Sequence, residues 1–342
     1  MHRFRFFLLA IVIILGVVLF FLNRAPRVVT APLLSINTPY LANPLYSIKG
    51  IWTDFWKNRD EIANNGAGSI AVAALWAEWD LGTKLPPCAA GEEEYLGECF
   101  RINSALNDEI QFYSGKNIDV YAVVYGIPER FRVANCAPAS PGMGIFCAVK
   151  KENLDAFGRF AGMIARRYDG TRGNGKISNF VIGNEVNRKE WYNGNFSDTN
   201  AWIASYADFF NTAYDYIIQN QPTAKLFISF DHAFDKRFWD RPTSISLQTF
   251  LPTFSRLVGN RAWRVAYHPY NADLFNLSFD ARDTATSGVI TMGTIGMLPG
   301  WLQKTFPDKP VVYQDIKLTE SGFHSPESAA GKNGQATALC NS

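Results

Sequence analysis

The chain has 342 residues, of which 47% are hydrophobic and 14% aromatic, so it can bury a large core and is not disordered over most of its length. Its formal net charge at pH 7 is +2, and no basic block lies outside the N-terminus. This charge pattern predicts that nucleic acid is not a partner. The composition leaves the oligomeric state open.

The N-terminus carries an uncharged apolar run at residues 6–22, which follows Arg3 and Arg5 and ends before Arg24. Its 17 residues are at the lower limit for crossing a bilayer and exceed the apolar core of a usual signal peptide. We therefore predict an uncleaved signal-anchor at residues 1–24, with a cleaved signal peptide as the alternative.

A proline-containing linker is predicted at residues 25–44, after the apolar run. Residues 45–342 are expected to form one domain. Because the apolar run directs export, we expect this domain to be anchored at the membrane by the N-terminal helix. It would then lie outside the cytoplasm, in the periplasm or the extracellular space.

The cysteines fall into two pairs with the same spacing, Cys88 with Cys99 and Cys136 with Cys147. Each pair brackets a polar loop, which predicts two local disulfides in an oxidising compartment. Zinc is the rival interpretation, but the chain has no Cys-x-x-Cys and no histidine near these pairs. We therefore predict no metal, and Cys340 is left over near the C-terminus.

Strand-like apolar segments alternate with helix-like segments along the domain. Strands are predicted at residues 47–52, 69–76, 118–125, 177–185, 225–231, 263–268 and 310–320, and helices at 56–64, 101–114, 154–168 and 202–220. This alternation predicts a parallel α/β sheet. The chain has no dinucleotide-binding or P-loop motif, and polar residues end several strands, so a (β/α)8 TIM barrel is favoured over a doubly wound sheet.

The C-terminus is short for a complete barrel. Only 22 residues follow Glu320, at the end of the seventh predicted strand. They have room for a helix near residues 334–339 but not for another strand and helix. We expect a barrel that lacks its last β/α unit, unless the strand count is wrong by one.

Two glutamates stand out because each ends a predicted barrel strand. Glu185 follows the apolar run at 179–182 within Gly183-Asn184-Glu185, and Glu320 ends the seventh strand. Strands four and seven lie across the mouth of a barrel, so these carboxylates can meet there. Paired carboxylates about 5–5.5 Å apart carry out retaining glycoside hydrolysis, and pairs about 6.5–9.5 Å apart carry out inverting hydrolysis.

Four segments, at residues 180–187, 227–234, 266–270 and 318–323, carry a family resemblance. They resemble a bacterial family of glycosidase-like (β/α)8 barrels labelled as a domain of unknown function. That family is similar to the large clan of retaining (β/α)8 glycoside hydrolases, in which an Asn-Glu motif supplies the acid/base.

The resemblance implies a role for each matching residue. Glu185 would be the acid/base, and Glu320 the nucleophile, kept ionised by hydrogen-bond donors and nearby positive charge. Asn184 would hydrogen-bond a sugar hydroxyl. His268 would help to orient the nucleophile, together with Tyr270 or, alternatively, the nearby Tyr267.

Three further residues are predicted to contact a sugar. Asp231 ends the fifth predicted strand, Trp76 ends the second, and Trp191 follows Glu185. Tryptophan rings offer an apolar face on which a sugar can stack. The alternatives are a helix cap or loop ion pair for Asp231 and ordinary packing for the two tryptophans.

The sequence thus predicts a retaining glycoside hydrolase that acts on an O-glycosidic bond of a polysaccharide or surface glycan without a cofactor. The clan often keeps an arginine at the end of the second strand, but residues 75–79 contain none. This departure favours the alternative, a glycan-binding protein on a barrel scaffold without catalysis. A transglycosylase would use the same residues.

Overall fold

The computed structural model describes residues 50–52, 59–64, 66–134, 136, 146–274, 284–322, 332, 333 and 335. The predicted signal-anchor and linker, Cys340 and most of the predicted helix at 334–339 lie outside these residues. Among the residues described, no helix is long and apolar enough to cross a membrane.

A curled parallel sheet of seven strands forms the centre of the fold, in the order β1-β2-β5-β6-β7-β8-β9. Its strands are β1 (Gly50–Trp52), β2 (Ser69–Leu75), β5 (Asp119–Tyr125), β6 (Asn179–Ile182), β7 (Lys225–Phe230), β8 (Arg264–Tyr267) and β9 (Lys317–Leu318). Every neighbouring pair is parallel. Within the described strands no ladder joins β9 to β1, so the sheet is a curled half-barrel; a barrel lacking only its last unit stays a prediction.

Helices follow most of these strands, as the sequence alternation predicts. They are α1 (Arg59–Asn64), α2 (Trp76–Trp79), α3 (Ser104–Gly115), α4 (Leu154–Arg167), α5 (Thr199–Asn220), α6 (Lys236–Trp239), α7 (Leu247–Val258), α8 (Thr284–Ser287), α9 (Met297–Thr305) and α10 (Pro310–Gln314). The main core lies between the sheet and these helices and is rich in aromatic side chains. A smaller core fills the concave side of the sheet and includes Tyr121, Val123 and Phe227.

The prediction of one continuous strand at residues 310–320 was wrong. The segment forms helix α10, then turns at Asp315, and only Lys317–Leu318 pairs with β8. Pro310 occupies the first turn of α10, where its fixed φ suits a helix and its missing N–H costs nothing. The β-branched pair Val311-Val312 suggested a strand, but Val312 is instead buried on the inner side of the helix.

An antiparallel hairpin of β3 (Glu92–Tyr95) and β4 (Glu98–Arg101) was missed by the sequence analysis. Because Arg101 ends β4, the predicted helix at 101–114 begins only at Ser104, where the Asn103 side chain caps it by accepting from the Leu106 N–H. The two predicted disulfides, Cys88–Cys99 and Cys136–Cys147, are both formed.

Candidate active site

The two predicted catalytic glutamates lie at the carboxyl end of the sheet. Glu185 comes three residues after β6, the fourth strand of the sheet, and Glu320 comes two residues after β9, the seventh. Parallel strands deliver their carboxyl ends to the same edge, which is where barrel enzymes place their active sites. The structure therefore brings the two carboxylates to the same edge.

The backbone at Glu185 adopts a conformation that side-chain-bearing residues rarely take, with φ at +38°. Its N–H donates to Ser229 Oγ at 3.1 Å, and the next N–H, of Val186, donates to the Ser229 carbonyl, also at 3.1 Å. These bonds fasten the turn after β6 to the end of β7. Strained residues held in this way are concentrated at functional sites.

His268 lies between the two carboxylates and is 1% exposed. Its Nδ1 is 2.9 Å from Glu185 Oε1 and 3.6 Å from Glu320 Oε2. Its Nε2 is 3.0 Å from Thr319 Oγ1 and 3.3 Å from Ser229 Oγ. Buried between them, His268 contacts both carboxyl groups, and its role in orienting the nucleophile stays a prediction.

Tyr270 contacts Glu320 directly, since its hydroxyl donates to Oε2 at 3.4 Å. Tyr267 does not reach the site, because its hydroxyl donates to the carbonyls of His232 and Ile290 at 2.9 and 3.1 Å. The choice that the sequence left open between these two tyrosines is thus decided in favour of Tyr270.

Burial raises the pKa of the Glu320 carboxyl above its usual value, and the nearby Glu185 acts in the same direction. His268 and the Tyr270 hydroxyl oppose this rise only in part. Burial and the charge of Glu320 likewise raise the pKa of Tyr270. The sequence-based expectation that nearby positive charge keeps Glu320 ionised is therefore not met by the described residues.

Glu185, His268 and Glu320 each offer one ligand atom, and these three atoms lie within 4.8 Å of one another. Oxygen and imidazole nitrogen donors of this kind also suit a divalent metal ion. Cys88, Glu92 and Cys99 form a similar cluster. Its two sulfurs are joined in a disulfide, so they cannot act as thiolate ligands.

The sugar contacts predicted for Asn184 and Trp191 stay predictions. Asn184 immediately precedes Glu185 and is 5% exposed, and the structure gives its side chain no hydrogen-bond partner among the described residues. Trp191 is half-exposed and packs edge-on against Phe146, with ring centroids 4.6 Å apart.

Both carboxylate oxygens of Asp231 contact other protein groups, so a direct substrate contact does not fit its geometry. Its Oδ1 accepts from the Asn187 side chain at 2.6 Å and from the Ala233 N–H at 2.9 Å. Its Oδ2 lies 3.3 Å from an Arg188 nitrogen. Asp231 therefore holds the segment that follows Glu185, which is the loop ion pair that the sequence left as the alternative.

Trp76 also departs from its predicted role as a sugar platform. It is 1% exposed, and its ring stacks on Phe131 and Phe160 with centroids 4.6 and 6.0 Å apart. A ring covered in this way has no face for a sugar. Trp76 belongs to the core between the sheet and the helices.

The sequence analysis missed four residues of this region: Ser229, Thr319, Tyr125 and Phe146. Thr319 adjoins Glu320, and Tyr125 continues the inward-facing alternation of Tyr121 and Val123 along β5, so both could have been found. Ser229 and Phe146 had no sequence signal, because only the tertiary structure brings Ser229 against Glu185 and Phe146 against Tyr125 and Trp191.

Solved structures similar to this chain include several glycosidases. They include a glucosidase from Croceicoccus marinus (TM-score 0.50, 11% identity, 83% of this chain and 54% of that one). Another is the xylanase TsXylA from Thermoanaerobacterium saccharolyticum (TM-score 0.49, 14% identity, 88% and 82%). A third is the family 1 β-glucosidase from Thermotoga maritima in complex with isofagomine lactam (TM-score 0.47, 13% identity, 82% and 70%).

At 11% identity the likeness to the Croceicoccus marinus glucosidase concerns the fold alone. The chain spans about half the length of the Croceicoccus marinus glucosidase. Comparison with curated protein sequences finds no match. The sequence matches the family of unknown function DUF5722 over residues 42–342, and the chain therefore belongs to that family.

Proposed function

We propose that the protein is a retaining glycoside hydrolase that cleaves an O-glycosidic bond of a polysaccharide or surface glycan. The observation that carries the proposal is the pairing of Glu185 and Glu320 across His268, with the three ligand atoms within 4.8 Å of one another. Retaining enzymes hold their two carboxyl groups about 5–5.5 Å apart, whereas inverting enzymes need a wider gap for water.

In this mechanism Glu320 attacks the anomeric carbon while Glu185 donates its proton to the departing glycosidic oxygen. The C–O bond to the leaving group breaks as the ester bond to Glu320 forms. Glu185, now a carboxylate, then takes a proton from water as the water oxygen attacks the same carbon, and the ester bond to Glu320 breaks, which releases the Glu320 carboxylate. The sugar is released with retained configuration, and both carboxyl groups return to their starting states.

The surroundings of the pair support this division of labour. Tyr270 donates to Glu320, and such a bond stabilises an attacking carboxylate. In the neutral tautomer of His268 whose Nε2–H donates to Thr319 Oγ1, the free Nδ1 accepts the proton of Glu185. His268 then keeps that proton beside the leaving-group oxygen, and Asn184, immediately before Glu185, would bind the adjacent sugar hydroxyl.

We also propose that the enzyme works outside the cytoplasm, held at the membrane by residues 1–24. The two disulfides support an oxidising compartment, where such bonds form and persist. The apolar run at residues 6–22 supports export and anchoring.

One observation favours the alternative, a glycan-binding protein without catalysis. Among the described residues, no arginine or lysine interacts with Glu320, and burial raises its pKa. A nucleophile needs its ionised form, so weak support for the negative charge would reduce catalysis.

Trapping of the covalent intermediate tests the proposal. The folded protein would be incubated with a panel of 2-deoxy-2-fluoro glycosides and cyclophellitol-type probes, followed by peptide mass spectrometry. We expect one probe to label Glu320, with no label in Glu320→Gln. Absence of labelling by every probe, in protein shown to be folded, would favour the binding protein; a label on Glu185 instead would reverse the assigned roles.

A further inference from the structure

Three half-exposed aromatic side chains form a continuous row that starts at the carboxyl end of β5. The rings of Tyr125 and Phe146 are stacked, with centroids 5.5 Å apart and planes inclined by 15°. The Trp191 ring meets Phe146 edge-on at 4.6 Å. Beneath them, together with Gly183, the three side chains border a small cavity with room for about one water molecule, so a ligand would have to lie on the exposed faces of the rings.

The row starts at the catalytic pair and leads away from it. Tyr125 ends β5 on the inward face of the sheet, and the charge of Glu320, together with burial, raises the pKa of Tyr125 to about 12. At the other end, Trp191 is reached by two turns after Glu185, in which Arg188 N donates to the Glu185 carbonyl and Trp191 N to the Arg188 carbonyl.

The Cys136–Cys147 disulfide fixes the middle of the row. Cys147, one end of this disulfide, follows Phe146 directly. Backbone hydrogen bonds join the residues around Cys147 to the segment after Trp191. Asn193 N donates to the Phe146 carbonyl at 3.1 Å, and Ala148 N donates to the Asn193 carbonyl at 2.7 Å. These bonds hold Phe146 against Trp191 in the folded protein.

We propose that the row Tyr125–Phe146–Trp191 is a sugar-binding subsite that takes a pyranose ring of a neutral oligosaccharide chain next to the bond that is cleaved. This inference rests on the proposed function for the position of that bond. Half-exposed rings offer apolar faces to the C–H faces of a pyranose. The negative charges of Glu320 and Glu78 act on Tyr125, and negative charge beside the row disfavours an acidic sugar.

The subsite has a direct consequence for substrate length. A chain that covers both the catalytic pair and the row has at least two sugar units. We expect oligosaccharides to bind more tightly than monosaccharides, because a monosaccharide at the catalytic pair leaves the row empty.

Binding to an inactive variant tests the subsite without depending on turnover. Glu320→Gln would be titrated by calorimetry with six hexaoses: cello-, xylo-, manno-, laminari-, chito- and maltohexaose. We expect at least one to bind, and Trp191→Ala or Phe146→Ala in the same background to weaken that binding about tenfold. Phe112→Ala is the matched control, since this half-exposed ring on α3 lies under Arg59 and Lys116 near the amino end of β5.

The Cys136–Cys147 disulfide allows a second, independent test of the subsite. Cys136→Ser/Cys147→Ser frees Phe146 and should weaken hexaose binding, whereas Cys88→Ser/Cys99→Ser removes a disulfide of the same spacing at the β3–β4 hairpin and should not. Circular dichroism would confirm that each variant is folded.

The outcomes separate the subsite from the catalytic proposal. Hexaose binding that is lost in Trp191→Ala, by a protein that hydrolyses nothing, would support the subsite and overturn the hydrolase. Hydrolysis and binding that are both unaffected by Trp191→Ala and Phe146→Ala would overturn the subsite and leave the hydrolase in place. Failure of every hexaose to bind the folded protein would also overturn the subsite.

Discussion

The Nδ1 atom of His268 lies 2.9 Å from the Oε1 atom of Glu185. This contact joins the turn after β6 to the end of β8, although the two residues are 83 positions apart in the chain. Because the same Nδ1 atom also lies 3.6 Å from Glu320 Oε2, one buried side chain contacts both carboxyl groups.

Tyr270→Phe removes the hydroxyl that donates to Glu320. A hydrogen bond to a charged group contributes about 1.5–3 kcal/mol, and this one is long, so we expect kcat/KM to fall about tenfold with little change in Tm. Steady-state kinetics and thermal melting would check both values. An unchanged kcat/KM would show that Tyr270 does not support the nucleophile.

Tyr267→Phe is the matched control for that substitution. It should lower stability and leave kcat/KM unchanged, the reverse of the pattern expected for Tyr270→Phe. Its hydroxyl donates to two buried backbone carbonyls, of His232 and Ile290. Their loss should lower the free energy of unfolding by about 1–3 kcal/mol, while the folded protein keeps its kcat/KM. Chemical denaturation and kinetics on the folded protein would measure the two effects; a large drop in kcat/KM would place Tyr267 at the site after all.

The loss of activity toward acid pH should begin at a higher pH than a glutamate of ordinary pKa would cause. Glu320 must be ionised to attack, and burial raises its pKa above the usual 4.5. We therefore expect kcat/KM to fall as the pH drops through a value above 4.5. A pH profile of kcat/KM would locate that fall, and a fall at or below the usual value would contradict a buried nucleophile.

The same raised pKa has a consequence for stability. The folded state holds the Glu320 proton more tightly than the unfolded state, so the contribution of Glu320 to stability is complete below its usual pKa and is lost as the pH rises through the folded value. Glu320→Gln does not titrate. The difference in Tm, variant minus wild type, should therefore increase between pH 4 and pH 7.

Glu152→Gln serves as the control for this measurement. Glu152 is exposed on the turn before α4, so its substitution changes the charge without removing a buried carboxyl. We expect its Tm difference to show no comparable increase. A constant difference for Glu320→Gln would mean that burial does not perturb Glu320.

Asp231→Ala should destabilise the protein strongly, because it leaves Asn187 and Arg188 without their buried partner. Breaking a buried ion pair from one side costs about 3–5 kcal/mol. Asp215→Ala breaks the exposed pair with Arg261 and should cost less than about 1 kcal/mol. Equal losses in urea denaturation would show that Asp231 is not a structural anchor of the segment after Glu185.

Trp76→Ala should act on stability rather than on sugar binding. Truncation of a buried aromatic side chain costs about 3–5 kcal/mol through lost contacts and the cavity left behind. Denaturation would measure this loss, and hexaose affinity of the folded fraction should stay unchanged. A selective loss of affinity at normal stability would restore Trp76 as a sugar platform.

The sequence alone was sufficient to predict the parallel α/β sheet, six of its seven strands, both disulfides and the two glutamates at strand ends. These features depend on local patterns: apolar runs of strand length, the alternation with helices, and cysteines only eleven residues apart. Such patterns report on interactions between residues that are near in the chain, so they can be read from it.

Only the tertiary structure decided which side chains meet. Trp76 and Trp191 look alike in the sequence, yet one ring is enclosed by phenylalanines and the other borders a small cavity. Likewise, a β-branched pair at residues 311–312 forms a helix because Pro310 starts one there. The burial of a side chain, its contact partners and the pKa of Glu320 depend on residues that are distant in the chain. Local sequence patterns therefore do not predict them.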